Sequence, residues 1–254
     1  MAPSPGWYRD PYAPAGLRWW DGRQWTQHAM QPDRTVPPAP PLPSAPPLPP
    51  YAGRNERLGR LAMLTWAPVH LLNFGLLGLT FRRFLRDVMA YADEAARTPA
   101  DQLGPFPVGS FVSMMVASLS GILVWVPLAL LIIWTHRCAT TALALRFPAE
   151  REPVWAVIGW IVPVINFWFP YQSVRDCLPP EDPARRDVLR WWLCYLAVSA
   201  GGVILIFLGA FDPTVFVVLL VALAAVAAVA VLLGFRVARA IDEAHRAAVA
   251  DQAT

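Results

Sequence analysis

The chain contains no lysine, and residues of the kinds that usually carry chemistry are sparse. All 21 of its basic residues are arginine, and the formal net charge is only +3. The arginines lie at the ends of apolar runs and do not form one basic face, so we expect no nucleic-acid binding. The three cysteines, Cys138, Cys177 and Cys194, show no CxxC spacing, which predicts neither a zinc site nor a disulfide framework.

Recognisable catalytic patterns are also missing. The sequence has no Ser-His-Asp order, no paired carboxylates, no HExxH motif and no glycine-rich phosphate loop, each of which positions groups for a defined reaction. We therefore predict that the protein is not an enzyme and has no catalytic, cofactor-binding or metal-binding residues.

What the chain has in abundance is apolar sequence. Hydrophobic residues make up 56% of it and the mean hydropathy is +0.40, more than an ordinary soluble domain has. Four runs without a formal charge are long enough to cross a bilayer; they cover about residues 61–81, 109–135, 191–211 and 213–235. Between the first two, residues 82–105 carry apolar residues at helical spacing, which predicts a separate helix on the membrane surface.

The N-terminal residues 1–32 have a different pattern, rich in tryptophan and turn residues. Asp21-Gly22 between two short alternating runs is typical of a hairpin with a two-residue loop. That loop pairs Trp20 with Arg23 and Arg18 with Trp25. We predict an all-α polytopic membrane protein of four transmembrane helices, preceded by a small three-stranded β meander.

The aromatic residues of this head are candidates for partner binding. Exposed aromatic side chains bind proline-rich ligands, and the candidates are Trp7, Tyr8, Trp20 and Trp25. The head also resembles a WW domain, with Trp7 near its start and Pro32 near its end. The alternative is a purely structural head group.

A proline-rich linker follows over residues 33–57. Residues 36–50 should form a polyproline II rod, most simply a spacer. Two Pro-Pro-Leu-Pro repeats, at 40–43 and 46–49, would also suit an aromatic groove, so a second interpretation is that head and linker of neighbouring molecules bind each other. The membrane domain then covers residues 58–240, and a polar tail covers 241–254.

Residues 154–172 decide how the chain is threaded. Their apolar part, Val154–Phe169, is roughly 24 Å long as a helix, short of a hydrocarbon core about 30 Å thick, and Pro163 interrupts it. If it does not cross, 17 arginines share one side against 4; if it crosses, the sides hold 11 and 10. The positive-inside rule therefore favours a re-entrant or interfacial segment over a fifth span, with both termini cytoplasmic at a bacterial inner membrane.

Within these segments few side chains are polar. His70 and Asn73 lie three residues apart and so share a helix face, and Asn166 lies within residues 154–172. At membrane depth such residues must face the bundle interior. Interhelical hydrogen bonding is one interpretation, and a polar path through the membrane is the other.

Two stretches resemble known families. Pro5-Gly6-Trp7-Tyr8, Asp10-Pro11, Arg18–Gly22 and Trp25-Thr26 resemble the actinobacterial domain of unknown function 2510. The run GW-x-x-P-x-x-N-x-x-x-PYQ resembles the actinobacterial domain of unknown function 4328, over roughly residues 60–240; its signature residues here are Trp160, Pro163, Asn166, Pro170, Tyr171 and Gln172. Neither resemblance implies a known activity or ligand.

The function expected from all this is an integral membrane interaction or scaffold protein that presents a cytoplasmic aromatic head. Its expected partners are the lipid bilayer and a protein or proline-rich peptide, while the oligomeric state stays open. The alternative is a small transport or channel subunit with a polar path near His70, Asn73 and Asn166.

Overall fold

The head is a three-stranded antiparallel sheet, as predicted. The computed structural model describes residues 4–13, 16–30 and 46–252, and the chain divides into two compact units, Met1–Pro46 and Pro47–Thr254. In the first unit β1 (Gly6–Arg9), β2 (Leu17–Trp20) and β3 (Trp25–Met30) lie in the order β1-β2-β3. Residues 33–45 of the predicted linker, including the first Pro-Pro-Leu-Pro repeat, lie outside the described residues.

The predicted register between β2 and β3 is wrong. Trp20 pairs with Trp25, so the loop has four residues instead of two, and a bulge lets Arg18 pair with Ala29. The cause is the side chain of Asp21, whose Oδ1 accepts hydrogen bonds from the backbone N–H groups of residues 23 and 24 at 2.8 Å. This closes a wider turn, in which Gly22 takes a φ of 97°. Side chains alternate between the two faces of a sheet, so a loop that is longer by two residues leaves Trp20 and Trp25 on the same face, as expected.

An ion pair between the partly exposed Arg18 and the buried Asp10 stabilises the other end of the sheet. Arg18 donates from Nε to Asp10 Oδ1 at 2.9 Å, and Asp10 also accepts from the backbone of Tyr12. The hydrogen bond from Arg18 lowers the pKa of the Asp10 carboxyl from its usual value. Folding of the head is therefore coupled to the ionised state of Asp10.

The second unit is helical, and four of its helices are long and apolar enough to cross a membrane, as predicted. These are α1 (Glu56–Ala95), the continuous rod of α2 (Val108–Ser118) and α3 (Trp125–Ala144), α6 (Arg185–Gly209) and α7 (Pro213–Gln252). A six-residue 3₁₀ segment, Leu119–Val124, joins α2 to α3. Two short helices, α4 (Trp155–Ile161) and α5 (Phe169–Arg175), lie between α3 and α6.

Helix α1 is longer than the apolar run that predicts it. It continues to Ala95 through the residues expected to form a separate surface helix, because residues 82–95 contain neither glycine nor proline to end it. Likewise α7 continues into the polar tail as far as Gln252. The ends of these two helices therefore do not coincide with the edges of their apolar runs.

The last part of the predicted linker is packed onto the helices. Tyr51 lies beneath the Arg137 guanidinium, 4.2 Å from carbon to ring centre, and Asn55 is fully buried. The Asp242 carboxylate of α7 accepts hydrogen bonds from the N–H groups of Asn55 and Glu56, at 2.9 and 2.8 Å. A side chain 187 positions away therefore caps the start of α1, satisfying donors that a helix leaves open.

The four long helices alternate in direction. The start of α1 meets the end of α7 through Asp242. The segment that leads into α6 lies beside α7 at the same end, since the backbone carbonyl of Cys177 accepts a hydrogen bond from His245 at 3.0 Å. At the opposite end Arg82 of α1 donates to the carbonyls of Gly209 and Ala210, at 3.4 and 3.2 Å. We call the end of the bundle where α1 and α6 start the arginine-rich end. Thirteen arginines of residues 47–252 belong to it, and four belong to the opposite end.

Candidate functional site

Residues 154–172 fold back on themselves at the arginine-rich end; we call them the re-entrant hairpin. The chain entering it and the chain leaving it are bonded together. Arg175 pairs with Glu150 at 2.7 Å, the Glu150 N–H donates to Asp176 at 3.1 Å, and Arg151 bonds to Gln172. Both ends therefore lie at the same end of the bundle, which excludes a fifth span.

The signature proline and asparagine make the turn of the hairpin. Helix α4 ends at Ile161, where Val162 becomes extended, and Pro163 has no N–H with which to continue a helix. Asn166 then donates from Nδ2 to the carbonyl of Trp160 at 2.8 Å. The amide satisfies a carbonyl that the broken helix leaves open, which a segment at membrane depth requires.

The remaining signature residues secure the returning arm. Pro170 stands in the first turn of α5, where a missing N–H costs nothing. Gly159 of α4 lies so close to Phe169 that a Cβ there would come within 2.8 Å of it. On the outer side the guanidinium of Arg151 lies 4.0 Å from the centre of the Phe169 ring, and Gln172 bonds to the same arginine.

The hairpin contributes one ring, Trp160, to a group of aromatic side chains inside the bundle and packs against the others. We call this group the aromatic layer; its members, contributed by α1, α3, α4 and α6, are Trp66, Trp134, Trp160, Trp191, Trp192 and Tyr195. Tyr195 stacks on Trp192 with ring centres 5.0 Å apart and on Trp66 at the same distance. The Trp192 indole donates to the carbonyl of Phe167 at 2.9 Å, so one hydrogen bond joins this layer to the tip of the hairpin.

The outer face of the hairpin is apolar and open. Ile161, Val164 and Phe167 are each more than 60% exposed, and Trp168 is 43% exposed. Exposed apolar surface next to arginines is what a membrane interface requires. The hairpin therefore has the pattern of a re-entrant or interfacial segment, with an apolar outer face and polar ends at the arginine-rich end.

The three intramembrane polar candidates do not form one site in the part of the chain that the structure describes. His70 donates a hydrogen bond from Nδ1 to the carbonyl of Trp66, one turn earlier in the helix, at 2.9 Å. Asn73 accepts from the Ser120 hydroxyl at 2.7 Å, while Asn166 serves the hairpin turn. Each has a separate structural partner. Ser120, which sequence reasoning missed, gives no signal beyond being polar within an apolar run.

Sequence reasoning also missed the charged cluster at the mouth of the hairpin. Burial alone would lower the pKa of Arg175, but hydrogen bonds to Asp176 and Glu150 raise it above its usual value. Burial, with a smaller effect of Asp176, raises the pKa of the Cys177 thiol. The signal that could have found the cluster is the presence of opposite charges on both flanks of one apolar stretch.

In the head, the four partner-binding candidates occupy two faces. Tyr8, Trp20 and Trp25 form an edge-to-face cluster, with ring centres 6.2 Å apart for Tyr8 and Trp25 and 5.3 Å apart for Trp20 and Trp25. All three are half-buried. Trp7 instead packs against the buried Trp19 on the opposite face, at 5.5 Å. One face of the sheet therefore presents three aromatic rings together.

Comparison with known families bears out the domain order expected from the sequence. Residues 5–44 match the family described as Protein of unknown function (DUF2510), and residues 107–246 match Domain of unknown function (DUF4328). The second match begins later than the expected residue 60, so α1 lies outside it. No curated protein and no solved structure matches the chain. The chain belongs to the DUF4328 family, with a DUF2510 segment at its N-terminus.

Proposed function

We propose that this membrane protein is an interaction or scaffold protein whose head binds a proline-rich segment of a partner through the face formed by Tyr8, Trp20 and Trp25. The observation that carries the proposal is the edge-to-face arrangement of these rings on one side of a small sheet. Rings held in this way form shallow grooves into which a proline ring fits, and a polyproline II helix loses little entropy on binding.

The transport alternative receives less support from the site. A polar path needs side chains that share one space, whereas Asn73 is bonded to Ser120 and Asn166 to the Trp160 carbonyl. Each of these bonds has a structural purpose of its own. These polar groups form interhelical and turn hydrogen bonds of the kind that stabilise a helix bundle.

For the orientation, the distribution of arginine supports a cytoplasmic arginine-rich end in a bacterial inner membrane. Thirteen arginines of the membrane unit belong to that end and four to the other, and the positive-inside rule places such an end in the cytoplasm. The N-terminal unit then joins the membrane unit on the cytoplasmic side, where cytosolic partners reach it.

A titration of the full-length protein in nanodiscs with a peptide of residues 36–50 tests the proposed binding. We expect saturable binding that Trp25→Ala weakens at least tenfold, since this ring contacts both other members of the cluster. Tyr12→Ala is the matched control, because Tyr12 is an aromatic residue of the same unit, 76% exposed and outside the cluster. Equal affinity of the two variants, or no binding at millimolar peptide, would contradict the proposal.

A further inference from the structure

An open cleft of about 380 Å³, which we call the cavity, lies at the arginine-rich end, where the start of α1 meets the end of α7. Its lining consists of Gly53, Arg54, Glu56, Arg57, Asp242 and Arg246. The volume is within the range of small-molecule sites, and three of its six lining residues are arginines. The lining includes no residue of the hairpin.

The two carboxylates of the lining are already engaged. Both oxygens of Asp242 accept hydrogen bonds from the backbone at the start of α1, and Glu56 pairs with Arg60, which is outside the lining, at 2.7 Å. Among the described residues neither carboxylate pairs with an arginine of the lining, and three arginines against two carboxylates leave the lining an excess of one positive charge.

The three arginines, by contrast, keep most of their donors available. Arg246 donates from Nε to the Asp242 carbonyl at 3.2 Å, which leaves both of its terminal nitrogens. Among the residues that the structure describes, no carboxylate lies within ion-pair distance of Arg54 or Arg57. A guanidinium presents donors in a planar fork that matches a phosphate or carboxylate. Three guanidinium groups that line one cavity form a site for a multiply charged anion.

The backbone is shaped to allow this arrangement. Gly53 has a φ of 65°, and a Cβ at this position would lie 2.5 Å from Cγ of Arg246. Only glycine tolerates both the conformation and the close approach. The turn before α1 therefore holds the stem of Arg246 in place at the edge of the cavity.

We propose that this cavity binds a phosphoryl anion through Arg54, Arg57 and Arg246. Asp242 lies seven residues beyond Phe235, the last residue of the uncharged run in α7, which is roughly 10 Å along the helix. This distance is a few ångströms more than the roughly 5–8 Å that the headgroup region adds to each side of the hydrocarbon core, so the cavity lies near the boundary between the headgroups and water. The phosphoryl group therefore belongs either to a soluble compound or to the headgroup of an anionic lipid, and the same arginines recognise both.

The first arm of the test uses inorganic pyrophosphate and the full-length protein in phosphatidylcholine nanodiscs. Calorimetry should show saturable binding that Arg57→Gln weakens about tenfold, or roughly 1.4 kcal/mol, with a similar loss for Arg246→Gln. The matched controls are Arg186→Gln and Arg236→Gln, which remove the same charge from exposed residues at the same end of the bundle and outside the lining. They should bind as the unchanged protein does.

The second arm repeats the variants in nanodiscs that contain phosphatidylglycerol and follows the thermal midpoint. Two results together assign the site to the lipid headgroup. Pyrophosphate does not bind in the first arm, and the thermal midpoint is higher in phosphatidylglycerol discs than in phosphatidylcholine discs for every protein except the cavity variants. Should Arg246→Gln disturb folding, Arg57→Gln decides alone, because its side chain is exposed. The proposal is overturned if cavity and control variants behave alike in both arms.

Discussion

The hydrogen bond from Trp192 to the hairpin tip leads to a sharp prediction, because the neighbouring Trp191 is a natural control. Both side chains are at most 2% exposed, and both belong to the aromatic layer. Trp192 donates to the Phe167 carbonyl, whereas the Trp191 Nε1 has no hydrogen-bond partner among the described residues. The substitutions Trp192→Phe and Trp191→Phe therefore remove the same atoms, but only the first breaks a bond to the hairpin.

The expected magnitude follows from the group that is left behind. Trp192→Phe leaves the Phe167 carbonyl without its donor, at a cost of about 1–3 kcal/mol when water cannot replace it. Both variants also lose indole volume, and this loss is common to the pair. The difference of 1–3 kcal/mol should be local to the hairpin and should speed its opening by roughly 5- to 150-fold.

Amide hydrogen exchange, read by mass spectrometry on peptides covering residues 154–176, measures this opening. We expect Trp192→Phe to accelerate exchange there and to leave the middle of α7 unchanged. Trp191→Phe should leave the hairpin protected, even if it lowers overall stability. Equal exposure of the hairpin in the two variants would refute the reasoning, because packing and not the hydrogen bond would then hold the tip.

Two further predictions concern packing and pH. Gly202→Ala should destabilise the bundle by about 1–3 kcal/mol in denaturant unfolding, because the added Cβ would overlap the Phe74 ring. A Cβ at Gly109 would have no neighbour within 4 Å, so Gly109→Ala should cost no stability. Similar losses of stability for both variants would contradict this prediction. Arg18 lowers the pKa of Asp10, so its stabilising effect on the head is present above the usual carboxyl pKa and is lost as the pH falls through the lowered one. Asp10→Asn should remove that loss, so the melting temperature of the head should depend less on pH below the usual carboxyl pKa. Fluorine NMR of fluorotryptophan measures the melting, and an unchanged pH dependence would contradict the assignment.

The parts of the fold that sequence predicts well are those that depend on composition over many residues. Four uncharged runs of sufficient length predict four long helices, and the shortness of Val154–Phe169 with Pro163 inside it predicts a segment that turns back. Both inferences follow from the thickness of a bilayer and from the missing N–H of proline. They need no knowledge of which helices touch.

The details that sequence misses depend on hydrogen bonds made by single side chains. Asp21 widens its own turn through two hydrogen bonds and so moves the register of β3. Asp242 caps a helix that begins 186 residues earlier, and Ser120 bonds to Asn73 across 47 positions. The partners of Asp242 and Ser120 come together only when the helices pack, so periodicity and composition do not indicate them.

The central claim is that the chain on both sides of residues 154–172 lies at one membrane face, and cysteine accessibility tests it most directly. The native Cys138 and Cys177 are 1% exposed and should react poorly, so the measurement needs a cysteine-free background with Ala149→Cys or Glu181→Cys, both at exposed positions. With a membrane-impermeant maleimide and sealed vesicles of known orientation, the account predicts that both sites are labelled from the same face. Asp101→Cys, between α1 and α2 at the other end, should be labelled from the opposite face. Labelling of residues 149 and 181 from opposite faces would contradict the account.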